Sequence, residues 1–157
     1  MNKKNRIYLA GPFFNEQQIK RLDEIQDLLE QNETIGDIFR PASAEYTDAK
    51  VGSFEWQSAV FKHDINNINV SDVVVAMLDY KIEENDTEPD SGTVWECGYA
   101  FANNIPVVAV RNVSDLPLNL MLAGSLTAFF NGSENVKKIK DYDFNQLMTR
   151  YEDVKVF

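Results

Sequence analysis

Cysteine occurs once in the 157 residues, at Cys97, so no internal disulfide can staple the chain. Stability has to come from a buried core, which a chain of this length can build. Basic residues are scarce: 15 Lys and Arg stand against 25 Asp and Glu, a net charge of −10 with no sizeable basic patch. That balance argues against a nucleic-acid partner and against an anionic membrane surface. No apolar run approaches the ~20 residues of a membrane span. The basic start from Met1 to Arg6 leads into an apolar stretch broken at Pro12, too short for the core of a signal peptide. Low-complexity tracts and internal repeats are missing as well. What is left, at 44% hydrophobic and 11% aromatic residues, reads as globular. One domain over residues 1–157 is expected, soluble and cytoplasmic.

Strand and helix patterns alternate along the chain. Arg6 to Gly11 is a β-prone run closed by Gly11-Pro12. From Asn15 to Gln31, Ile19, Leu22, Ile25, Leu28 and Leu29 recur at three and four residues, the stripe of an amphipathic helix. Ile35 to Arg40 is a weaker strand, followed by a polar loop with Glu45, Tyr46 and Asp48. Phe54 to Asn69 reads as a second helix with Trp56, Val60, Phe61, Ile65 and Ile68 on its apolar face. Asp72 to Asp79 is a continuous apolar run between two aspartates, as expected of a central parallel strand. After a helix from Trp95 to Asn103 come a strand at Pro106 to Arg111, a loop through Leu116 to Met121, and a last strand at Leu126 to Phe130. The tail carries one or two short helices. This alternation predicts an α/β fold: a flavodoxin-like, doubly wound sheet of about five parallel strands flanked by helices. The carboxyl ends of the strands then share one crevice, and Asp79 is a candidate to line it, whereas Asp72 lies at the opposite end as a cap or turn residue.

The stretch Asp90 to Ala100 opens on that crevice. Asp90, Ser91 and Gly92 form a turn, and Thr93 reads as the N-cap of a helix in which Glu96 falls at the capping-box position. A helix entrance favours an ionised carboxylate, so Glu96 is a candidate nucleophile or base. A plain capping box has the same spacing, and the local pattern leaves both readings open. His63, the single histidine, reads as structural, and Cys97 as a small buried filler. The carboxylates from Glu83 to Asp90 lack the spacing of a calcium loop and read as a solvated lid, so no metal or cofactor is expected.

Three blocks, Ile7 to Pro12, Asp90 to Thr93 with Glu96 to Ala100, and Pro117 to Met121, resemble the nucleoside 2-deoxyribosyltransferase family, in order over essentially the whole chain. The resemblance implies exchange of a 2-deoxyribosyl group between 2′-deoxynucleosides and free purine or pyrimidine bases, by a retaining double displacement. It implies Glu96 as the nucleophile, Tyr8 as the hydroxyl that orients it and Asp64 as the acid and base. Asp90, Gly11, Phe13, Glu45, Ser91 and Gly92 are implied to bind substrate. Asn119 and Met121 are implied to reach a neighbouring subunit's site, commonly in a homohexamer. Three departures stand out, the first being an acidic insertion from Glu83 to Glu88 that lengthens the loop before Asp90 relative to some members. Glu45 falls where the family often carries a base-reading glutamine, and Phe157 stands where some relatives carry a tyrosine.

Two other functions compete. A nucleoside or nucleotide N-glycoside hydrolase of the same superfamily would use Glu96 and Asp64 with water as acceptor, but the loops offer few groups for a phosphate. A non-catalytic flavodoxin-like binding module is the second. A phospho-acceptor of that kind needs an acidic pair after the first strand, where Gly11 to Phe14 stands instead.

Overall fold

The computed structural model describes residues 3–79 and 88–157. Five strands of four to six residues form one sheet: β1 (Asn5–Ala10), β2 (Ile35–Phe39), β3 (Val73–Met77), β4 (Val107–Arg111) and β5 (Ala128–Asn131). They pair in parallel throughout in the order β2-β1-β3-β4-β5, the expected flavodoxin-like arrangement. Strand order reverses between β1 and β3, which makes the crevice beyond their carboxyl ends the natural ligand site.

Side chains alternate across the sheet and divide the core into two parts. Ile7, Leu9, Val73, Val75, Met77, Val108, Val110 and Phe130 face α1 (Glu16–Glu30) and the tail. Helix α1 begins where Asn15 accepts a hydrogen bond from the Gln18 backbone N–H at 2.9 Å. Its stripe buries Leu22, Ile25 and Leu29, each contributing about 2 kcal/mol by transfer from water. Tyr8, Ala10, Val74, Ala76, Leu78, Ala109 and Phe129 point the other way, toward α2 (Phe54–Asn69) and α3 (Ser91–Ala102).

Three expectations change. Helix α3 starts at Ser91, not near Trp95, and its N-cap is Asp90 rather than Thr93. The Asp90 carboxylate accepts from the Thr93 backbone N–H at 2.9 Å and from Thr93 Oγ1 at 3.1 Å. An aspartate followed by Ser and Gly outcompetes a threonine that is already helical. Second, the supposed loop around Met121 contains a short helix, α4 (Leu120–Ser125), capped by the Asn119 side chain. Buried Arg111 holds the segment before it, donating to Asn131 Oδ1 and to the Leu116 carbonyl at 2.9 Å each. The tail fastens it from the other side, through Leu118 N–H to the Lys155 carbonyl and Leu120 N–H to the Phe157 carbonyl. Third, α2 has the expected bounds, but of its five apolar-face residues only Ile68 is buried. The tail forms α5 (Ser133–Val136) and a 3-10 turn, Lys137–Asp141.

Candidate active site

A cavity of ≈ 700 Å³ opens beyond the carboxyl ends of β1 and β3, lined by Gly11, Phe13, Glu45, Asp64, Asp90, Gly92 and Glu96 among others. Seven of the eleven site residues read from the sequence therefore meet there. Gly11 is required by close approach: a Cβ on it would lie 2.8 Å from Leu22 Cδ2 and 3.0 Å from Met77 Cβ. At Gly92 a Cβ would sit 3.1 Å from Asp90 Oδ2, against the carboxylate that caps the helix.

Tyr8 is fully buried behind the cavity, and its hydroxyl donates to Glu96 Oε1 at 2.7 Å. Strand parity explains the contact: position 8 faces α3, whereas Ile7 and Leu9 face α1. The Phe39 ring packs 5.5 Å from the Tyr8 ring and 5.4 Å from the His63 ring. His63 thus stands behind the site, with its ring nitrogen 3.3 Å from the Asn67 amide.

Glu96 lies in the second turn of α3, beyond the exposed N–H groups of the entrance, so the capping box does not form. The expectation of a readily ionised carboxylate is overturned as well. Burial pushes its pKa up to about 7; the Tyr8 hydrogen bond pulls it down, and the charges of Asp64 and Asp90 push it up again. Asp64 is also raised, by burial first, with partial relief from His63. Tyr8 is held strongly above its ordinary value by burial and by Glu96, and so remains a hydrogen-bond donor. Burial pushes the Cys97 thiol up to about 12, in keeping with a packing role.

Four residues stand elsewhere. Ser91 is exposed and outside the lining. Asn119 and Met121 line a separate cavity of ≈ 850 Å³ between α3 and α4. Asp79 is buried in an ion pair with Arg21 of α1 and does not reach the crevice cavity. It acts instead through its backbone, whose carbonyl accepts from the Asp90 N–H at 3.0 Å. Of the segment read as a lid, Glu83 to Asp90, residues 83–87 lie outside the described residues, and Asp90 is the cap of α3.

Sequence reading missed the apolar wall supplied by α2 and the residues before it: Val51, Trp56 and Val60. The signal was present in α2, whose apolar face exceeds what one sheet face can cover. Among the described lining residues there is no Lys, Arg or His, and no group of three or more potential metal ligands occurs among the described residues. A partly buried carboxylate held by a tyrosine, with a second carboxyl nearby and aromatic walls, suits chemistry at a sugar carbon bearing a flat leaving group.

A family model for nucleoside 2-deoxyribosyltransferases matches residues 7–138. The chain belongs to the nucleoside 2-deoxyribosyltransferase family. It is 34% identical to the nucleoside deoxyribosyltransferase of Limosilactobacillus fermentum, over 97% of this chain and 94% of that one. The solved 2-deoxyribosyltransferase of Bacillus psychrosaccharolyticus superposes with a TM-score of 0.79 at 30% identity, covering 94% of this chain and 98% of the other. A CMP N-glycosidase of Clostridium botulinum, at 16% identity and a TM-score of 0.54 over 87% of this chain and 99% of its own, shares the fold alone. Membership agrees with the resemblance read from the three sequence blocks. No helix among the described residues is long and apolar enough to cross a membrane.

Proposed function

We propose that this transferase exchanges 2-deoxyribose between nucleobases through a covalent ester on Glu96. The single observation that carries the reading is the 2.7 Å hydrogen bond from buried Tyr8 to Glu96 in a cavity shared with Asp64 and Asp90. The ionised Glu96 oxygen attacks the anomeric carbon while the carbon–nitrogen bond to the base breaks. Asp64 supplies the proton that the departing base takes up. A second base then attacks the same carbon from the vacated side, returns a proton to Asp64 and releases the Glu96 carboxylate. Two inversions leave the anomeric configuration unchanged.

Turnover requires one proton on the carboxyl pair, with Glu96 ionised and Asp64 protonated. Burial holds the Glu96 pKa up near 7. A base stacked over Asp64 removes more water from it and favours the proton there. Tyr8 keeps a donor on Glu96 through both steps, and Asp90 holds the entrance of α3 while lining the sugar end of the cavity.

Asn119 and Met121 complete the site of a neighbouring copy in this reading, most simply in a homohexamer. Their separate cavity and the exposure of Leu120 and Met121 support it, since these side chains do not line the cavity of their own Glu96. Unphosphorylated nucleosides fit better than nucleotides, because no described lining residue offers a cation to a phosphate. The reaction belongs in the cytoplasm, where free bases and deoxynucleosides are recycled.

The test is incubation of the purified protein with 2′-deoxyadenosine plus cytosine, and with thymidine plus adenine, following nucleosides and bases by chromatography beside Glu96→Ala. New deoxynucleosides that vanish in the variant support transfer. Free base released at one rate with or without an acceptor makes the protein a hydrolase. A mass increase of one deoxyribosyl unit on the peptide containing Glu96, trapped with donor alone, identifies the ester.

A further inference from the structure

We propose that the buried ion pair between Arg21 and Asp79 positions Glu96 from the far side of the sheet, by fixing the point from which the entrance of α3 hangs. This rests on the transferase reading above and deepens it by naming two positioning residues for the same nucleophile.

The pair is built by parity. Asp79 follows Val73, Val75 and Met77 at two-residue steps, so its side chain turns to the face that α1 covers. There it meets Arg21, in the second turn of α1. The carboxylate side chain is 3% exposed and the arginine 19%. One carboxylate oxygen takes the guanidinium, and the other, Oδ1, is buried with no hydrogen-bond partner among the described residues.

Such a pair is a poor source of stability. A buried carboxylate with one oxygen unpaired carries a desolvation cost that packed apolar side chains avoid, so leucine and methionine in the two places would hold the fold at least as well. What the pair supplies is direction.

That direction matters at the backbone. The Leu78 N–H still donates to the Val110 carbonyl at 2.8 Å, one residue past the end of β3. Asp79 lies beyond every paired position of the strand. Its carbonyl accepts the Asp90 N–H at 3.0 Å. Asp90 in turn caps α3 through the Thr93 N–H and hydroxyl, and Glu96 stands three residues further along the same helix. Arg21 therefore holds the side chain, and Asp90 the carbonyl, of a residue that the sheet no longer fixes. A nucleophile has to be placed closely, and small shifts made far from the chemistry cost rate.

Three variants, each assayed for exchange between thymidine and adenine, test the assignment. Arg21→Gln removes the charge and is expected to lower kcat about tenfold, with a smaller change in KM because the aromatic walls that hold the base are untouched. Arg21→Lys keeps a cation beside Asp79 and is expected to restore most of the rate. The double variant Arg21→Met with Asp79→Leu replaces the pair by apolar surface. It is expected to unfold at the wild-type urea concentration or above, yet to stay as slow as Arg21→Gln. The acidic limb of kcat/KM does not depend on how much protein is folded. Burial holds the Glu96 pKa up, the Tyr8 hydrogen bond pulls it down, and the charges of Asp64 and Asp90 push it up again. An entrance that is no longer fixed takes Asp90 away from Glu96 and admits water, so the limb is expected to move to lower pH in Arg21→Gln.

A double variant that recovers stability and rate together makes the pair structural only and overturns the proposal. Arg21→Gln with the wild-type kcat or an unmoved limb overturns it too, as does Arg21→Lys no faster than Arg21→Gln. A wild-type protein that consumes donor without forming a new nucleoside overturns the transferase reading instead, and the same variants then test Arg21 and Asp79 on donor consumption.

Discussion

The two faces of the sheet are built from the same strands and end in different chemistry. On one face, α1 has 15 residues and buries Leu22, Ile25 and Leu29 against the sheet. On the other, α2 has 16 residues and buries only Ile68. Its remaining apolar residues stay partly or largely exposed, with Trp56 and Val60 on the cavity wall and Phe61 edge-on to Trp95. The first face is closed and supplies stability. The second leaves a gap that holds a tyrosine, two raised carboxyls and aromatic surface for a ligand and, in our reading, for a neighbouring copy. A helix that buries the centre of its stripe, as α1 does with Leu22, Ile25 and Leu29 while Ile19 stays exposed, leaves less room for a substrate than one left half-packed.

The strongest break in this comparison is chemical. Asp64→Asn, on the open face, is expected to slow transfer by about 10²- to 10⁴-fold, the usual worth of a general acid and base, with the folded chain retained by circular dichroism. Next comes packing on the closed face. Leu29→Ala is expected to lower the free energy of unfolding by about 2–5 kcal/mol, read from urea denaturation, with little change in KM. Met121→Ala, at a side chain 80% exposed, is its counterpart on the open face. It is expected to alter unfolding by no more than about 0.5 kcal/mol, yet to reduce transfer if Met121 serves a neighbouring site. An unchanged rate would remove that role.

Protonation separates the faces more finely. The pKa of Glu96 rises from an ordinary 4.5 to about 7 in the folded chain. Between these values the folded state holds a proton that the unfolded state has released. The associated stability is complete below pH 4.5 and is lost as pH rises through 7, about 3 kcal/mol in all. Urea midpoints measured across this range are expected to fall in the wild type and to stay flatter in Glu96→Gln, which has nothing to ionise.

The finest distinction is expected from Tyr8→Phe. Loss of the donated hydrogen bond raises Glu96 further, so the acidic limb of kcat/KM moves to higher pH by about 1 unit. A limb that does not move would separate Tyr8 from the ionisation of Glu96.

Much of the fold was legible along the chain. The alternation of β-prone runs with helical stripes located all five strands, and α2 was read to its observed bounds. The candidate site was legible where the topology sends loops to one edge, which brought Gly11, Phe13, Glu45, Asp90, Gly92 and Glu96 together, whereas Asp64, inside α2, was implied by the family resemblance alone. Local spacing misled at Thr93, because a capping box and an Asp-capped helix share most of their residues. It misled again at Asp79, whose position at a strand end gave no sign of the Arg21 partner.

The sequence by itself determined the order of the elements and the parity that turns Tyr8 away from Ile7 and Leu9, since each depends on residues a few positions apart. Only the tertiary structure decided that Glu96 titrates near neutrality, that Trp56 and Val60 face a cavity, and that Asn119 and Met121 stand apart from it. Those properties come from burial and from partners distant in the chain. The hydroxyl that holds Glu96 belongs to a residue 88 positions away, and the field at a carboxylate is set by whatever the fold places around it.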